Sequence, residues 1–270
     1  MVFPPVVALI LFALAVPTYG AHGAHAYGAH VRVTCEGIQE FSVSKPEVQC
    51  SDAKVLSDPD GNLVPGFSFA LASLPKGRLS ASSAGGSIRD FGYNGGEASA
   101  LFKDTLSIAG EWKGLLPITV SLYLRYTFAG LGEARLRTAV GTRSSGAMLD
   151  DNRAHVRMIR KGFGGVTLNR IESTGNVQLP AEGLYQPSAG IVLSVTEMVH
   201  QDSPTLDIRA LVTTFSSPNL GSLGSIISAL VSADAELQVS IPGDLAYESA
   251  SRAFLTGSYP SPTIDFLKKR

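Results

Sequence analysis

The sharpest pattern along the chain is an alternation of period 2. Ile118, Val120, Leu122, Leu124, Tyr126 and Phe128 fall on one face of an extended segment, and Thr119, Ser121, Tyr123, Arg125 and Thr127 fall on the other. Successive side chains of a strand point to opposite faces, so this spacing predicts a half-buried antiparallel strand. The same alternation recurs over Ala134–Val140, Ala154–Arg160, Ile191–Val199, Leu206–Phe215 and Glu236–Ile241, with Gly, Pro, Asn and Ser between the segments. Short alternating strands punctuated by turn residues predict an all-β fold, an antiparallel β-sandwich with a jelly roll as one form of it and little helix. Leu223, Ile226, Ile227 and Leu230 are the exception, because their spacing predicts a helix over Gly221–Val231. Three stretches read as loops: Ser57–Gly66, Ser80–Gly96 and Gly141–Asn152. Rich in Ser and Gly, the second is either a long surface loop or a junction between two β subdomains at 80–96. Nothing else forces a boundary, so residues 27–270 read as one domain.

The N-terminus changes the picture. Val2–Val16 is almost wholly apolar, no Lys or Arg precedes Arg32 and no acid precedes Glu36. An apolar run of about 15 residues ending in small residues reads as a secretory signal, and it is shorter than the roughly 20 residues of a membrane span. Residues 1–26 are therefore expected to be a signal peptide cut near 20–26, after either Thr18-Tyr19-Gly20 or Ala24-His25-Ala26; a retained N-terminal anchor is the alternative. The mature chain is expected to have no transmembrane segment and to be secreted or extracellular, with the periplasm and the cell surface left open. Gly-Ala-His occurs at His22, His25 and His30. Cleavage after the bulky Tyr19 would create an amino-terminal copper or nickel motif; otherwise the repeat is a flexible tract partly lost with the leader.

Composition narrows the function. The 270 residues carry 22 Lys+Arg and 23 Asp+Glu, a net charge of −1, and only 17% are charged, against about 25% in an ordinary soluble domain. A global basic field for nucleic acid is excluded. The neutrality hides a local bias: Arg135, Arg137 and Arg143 are followed by Arg153, Arg157, Arg160, Lys161 and Arg170. If neighbouring strands expose Arg135, Arg137 and Arg157 on one face, that face attracts acidic polymers, for which uronic-acid polysaccharide is the extracellular candidate. The alternative is a solvated face offset by Asp150, Asp151 and Glu172. Trp112, the single tryptophan, sits in Gly110-Glu111-Trp112-Lys113-Gly114, where it could stack on a sugar or close the end of a sandwich.

The remaining candidates are sparser. Cys35 and Cys50, an even pair in a secreted chain, read as one disulfide closing a loop worth on the order of 3 kcal/mol. Asp58, Asp60 and Asn62 resemble the start of a calcium loop, but the twelfth position is Phe69 rather than a bidentate Glu, and Pro59-Asp60-Gly61 is also an ordinary turn. No cofactor is therefore expected, with an irregular calcium site at Asp58, Asp60 and Asn62 as the alternative to the turn. Asp150, Asp151 and Asn152, with His155 close by, form a second oxygen-rich cluster that also reads as a solvated turn. No G-x-S-x-G elbow or supported S-x-x-K is present, and His155 and His200 lie in ordinary strand contexts.

Two segments resemble a group of secreted bacterial proteins of unknown function, many of which end in a PEP-CTERM sorting tail. Gly96–Ile108, GEASALFKDTLSI, is similar to the group's A-x-A-x-F-x-D-T-L-x-I strand, and Asp234–Gly243 followed by Tyr247–Ser251 is similar to the ending of its ectodomains. The chain departs from the group in having no terminal Pro-Glu-Pro and no membrane segment after it. The resemblance implies a secreted β-sandwich and brings no catalytic residues. The expected function is a non-catalytic module of the extracellular matrix or cell surface that binds glycan or another matrix protein. A secreted polysaccharide hydrolase or lyase, or a purely structural or adhesive protein, are the alternatives.

Overall fold

A computed structural model describes residues 27–255 apart from 35–37, 44–45, 58–60, 62, 89–91, 145–151, 164–165, 181–187, 218–226 and 244. All its regular structure is β, in two antiparallel sheets of eight strands, numbered here in chain order. Sheet A runs β11 (Val166–Thr174), β10 (Asn152–Phe163), β9 (Glu133–Ser144), β14 (Thr205–Ser217), β7 (Gly96–Ala109), β1 (Gly28–Thr34) and β2 (Ile38–Val43), with β16 (Ala246–Ser249) beside the end of β7. Sheet B runs β12 (Asn176–Gln178), β13 (Ser188–His200), β8 (Leu115–Gly130), β15 (Ile227–Ser240), β5 (Arg78–Ile88), β4 (Leu63–Ser73) and β3 (Glu47–Ser57), with β6 (Gly92–Asn94) on β5. The chain crosses between sheets from β7 to β8 and β9, and again from β13 to β14 and β15. The order β5-β15-β8-β13 thus lies over β7-β14-β9-β10, which is jelly-roll connectivity. The strands β1–β4 extend one edge and β11 and β12 the other.

The alternation in the sequence is the alternation of burial. Along β8 every second residue from Leu116 to Phe128 is buried, and β7, β9 and β14 show the same period. Leu122, Leu124, Phe102, Leu136, Met158 and Ile208 meet between the sheets with essentially no exposed surface. Burying one such side chain contributes about 1.5–3 kcal/mol.

Four expectations are corrected. Residues 80–88, expected as loop, belong to β5, which is paired on both sides by β4 and β15. Its Ser, Ala and Gly residues lack strand propensity, but sheet pairing overrides propensity. Leu79, Ala81 and Ser83 face the core, while outward Ser82 bonds Ser232 at 2.7 Å. The helix expected over 221–231 is strand from Ile227 onward, with Val231 buried and Leu230 exposed; residues 221–226 lie outside the described residues. The predicted loops at 57–66 and 141–152 are also shorter than expected, since β4 starts at Leu63 and β9 runs to Ser144. Gly77 turns β4 into β5 at φ +58°, and its carbonyl accepts from Leu237 N at 2.7 Å.

Phe254 closes one end of the sandwich. It is 2% exposed and meets Phe102 and Tyr247 edge to face, with centroids 6.3 and 6.4 Å apart. The turn that carries it is fixed by Asp104, a buried carboxylate on β7. Asp104 accepts hydrogen bonds from Thr105 N at 2.8 Å and Ser251 N at 3.2 Å, and from the Ser251 hydroxyl at 2.5 Å. Ser251 Oγ in turn accepts from Phe254 N at 3.1 Å. Burial pushes the Asp104 carboxyl above the usual range, and these donors only partly offset it.

Candidate functional site

Strand alternation sorts the basic run into two sets. On β9 the outward positions include Arg135, Arg137 and Arg143; on β10 they include Arg153, Arg157 and Lys161. Arg160, of opposite parity, instead reaches Phe128 O at 3.1 Å on sheet B. The register then sets Arg157 directly opposite Arg137, bringing the three predicted arginines together on the outer face of sheet A. Like charges directly opposite on a sheet are unfavourable by a few tenths of a kcal/mol up to about 1.

Two acids on this face are shared. Glu133 pairs with both Arg135 and Lys161, the latter at 2.8 Å. Burial alone would raise the Glu133 carboxyl, but these two cations hold it below the usual range. Glu172 likewise serves Arg157 at 3.7 Å and Arg170 at 2.5 Å. Arg137, Arg143 and Arg153 have no ion pair among the described residues. Arg135 also lies over the Phe215 ring, 5.0 Å from its centroid, as a cation–π contact. His155 bonds Thr174 Oγ1 through Nδ1 at 2.6 Å. Burial and then the nearby Arg137 and Arg153 hold its imidazole below the ordinary range, so it is neutral near pH 7.

Sequence reasoning missed two further cations on this face. Arg209 on β14 and Lys103 on β7 are outward and opposite each other in the register. Both were far from the basic run in sequence. The parity of Arg209 with Asp207 and Thr213 in the predicted 206–215 strand was the signal available.

The other candidates lie elsewhere. Trp112 follows the end of β7 at Ala109, whereas Arg135 and Arg137 sit alongside the start of that strand, in line with Glu97 and Ser99 through Phe215 and Thr213. Trp112 is half-buried against the core with its Nε1 buried and unbonded, so it does not join the arginines in one site. Asp58, Asp60 and Asn62 lie outside the described residues; Gly61 between them takes φ +80°, as a turn glycine does. Asp150 and Asp151 also lie outside them, while Asn152 Nδ2 donates to Thr196 O at 2.6 Å. Among the described residues no group of three or more His, Cys, Asp or Glu side chains could hold a metal. His155 is on sheet A; His200 ends a strand of sheet B, 3.3 Å from Asp202. Cys35 lies outside the described residues. Cys50 is a thiol half-buried on β3, so the expected disulfide is not seen among the described residues, and burial pushes the thiol up. Glu197 links the sheets by accepting from Thr142 and Ser144 at 3.3 and 3.1 Å.

No protein-family model matches the chain, and no curated protein matches it. No helix among the described residues is long and apolar enough to cross a membrane.

Proposed function

We propose that this chain is a secreted, non-catalytic β-sandwich of the extracellular matrix or cell surface, similar in kind to PEP-CTERM ectodomains, that binds acidic polysaccharide on the outer face of sheet A. One observation carries the reading: Arg137 stands opposite Arg157 with no acid paired to it among the described residues, in a face where Glu133 and Glu172 are each already shared between two cations. Such an arrangement costs stability in isolation and is relieved by an external anion. The uronate carboxylate supplies that anion, and the C–H faces of the sugar suit Phe215, Leu211 and Leu101 beside the cations. In the oxidising compartment this reading implies, Cys35 and Cys50 form a disulfide, seen as a loss of about 2 Da on intact mass. The test is binding of the mature chain to immobilised polyuronate against the same polymer methyl-esterified. Retention on the charged polymer alone, with no shortening of the chains, is expected; equal retention on both, or polymer cleavage, contradicts the reading.

A further inference from the structure

The outward positions of β9 are not uniformly large. Between Arg137 and Arg143 they are Ala139 and Gly141, so the sheet surface is low there. The register surrounds this low ground. Ala139 lies between His155 and Leu211, and Gly141 between Arg153 and Arg209. With strands about 4.8 Å apart, the backbones of Arg153 and Arg209 are about 10 Å from each other across Gly141. Two long guanidinium side chains at that separation can reach one anion between them.

Gly141 is not demanded by the fold. A methyl group added there would meet only Asn152 O at 3.5 Å and Arg153 Cβ at 3.6 Å, both ordinary contacts, and its φ is not left-handed. Glycine in a strand interior weakens the strand, and it often marks a place where a ligand or another backbone approaches closely. Asp207, opposite Arg143, is engaged by Thr105 Oγ1 at 2.6 Å, and no ion pair joins it to Arg143.

Building on the function proposed above, we infer that the depression over Ala139 and Gly141 seats a single uronate residue. Its carboxylate lies over Gly141 between Arg153 and Arg209, beside Arg143, and its ring lies over Ala139 against Leu211. This is a shaped site within the cationic face, and it makes the floor as important as the charges. A guanidinium binds a carboxylate through two parallel hydrogen bonds, so the site selects carboxylates by geometry as well as by charge.

The experiment measures oligogalacturonate binding to the full mature chain by calorimetry, for wild type, Gly141→Leu, Ala139→Val and Arg153→Gln, with melting curves as folding controls. Gly141→Leu and Ala139→Val keep every charge. A loss of at least tenfold in affinity in either folded variant, matched by Arg153→Gln, is expected. If both folded floor variants bind like wild type while Arg153→Gln weakens binding, the shaped site is wrong and the broader cationic-face reading stands. If wild type binds no oligogalacturonate, that broader reading falls too. Equal binding of a DNA duplex or of phosphatidylserine vesicles overturns the assignment to a saccharide.

Discussion

Arg137 sits where the fold gives it no stabilising ion pair among the described residues. It faces Arg157 across the strand pair, and neither its own strand nor β14 provides it an acid. Arg137→Gln should therefore leave the melting free energy unchanged or raise it by up to about 1 kcal/mol, while weakening polyuronate binding; a clear loss of stability in thermal melts would show that Arg137 is a structural residue. Asp104 is the opposite case, a buried group whose partners are all internal. Asp104→Ala leaves buried donors unpaired and should cost about 1–3 kcal/mol. Because the folded carboxyl titrates above its unfolded value of 3.8, the stabilising protonated state is fully present below that value and is lost as pH rises through the folded pKa. The deficit of the variant should thus be larger at pH 4 than at pH 7 in urea titrations; a deficit that grows with pH would contradict the assignment. The arginine face could be foreseen because Arg135, Arg137 and Arg157 fall on one parity in two predicted strands. Asp104 could not, because its partner Ser251 is distant in sequence and the hydrogen bonds exist only after the C-terminal turn docks.

At the level of elements, strands were legible where large apolar residues alternate with polar ones, as in β8, and hidden where they do not. β5 buries Ala81 and Ser83 under neighbouring strands, so pairing rather than side-chain volume defines it. The start of β15 misled for a related reason: Ile226, Ile227 and Leu230 suit a helix, but from Ile227 onward the chain is held between β5 and β8. The turn after β16 acts as an element in its own right. Phe254 fills the end of the core between Phe102 and Tyr247, and Leu255 N donates to Leu74 O at 3.0 Å. Phe254→Ala should cost about 3–5 kcal/mol and loosen β16 selectively. Amide exchange should accelerate first at Ala246–Ser249, and uniform acceleration across both sheets would argue against a locally anchored clasp.

Across the whole molecule, a net charge of −1 conceals an uneven distribution. The outer face of sheet A concentrates arginines. The outer face of sheet B instead carries hydroxyl pairs such as Thr119–Thr196 and Ser121–Ser194, at 2.9 and 3.0 Å. The jelly-roll connectivity produces this asymmetry, because it carries β9, β10 and β14 into one sheet while β8, β13 and β15 form the other. A face that attracts an acidic polymer through exposed guanidinium groups does so through a field screened over about 10 Å at 0.1 M salt. The most direct test is the affinity of the mature chain for polygalacturonate as sodium chloride rises from about 20 to 300 mM, spanning that screening length. Affinity should fall steeply and monotonically with salt, and less steeply in Arg137→Gln. Affinity independent of salt, or no binding at the lowest salt, would contradict it.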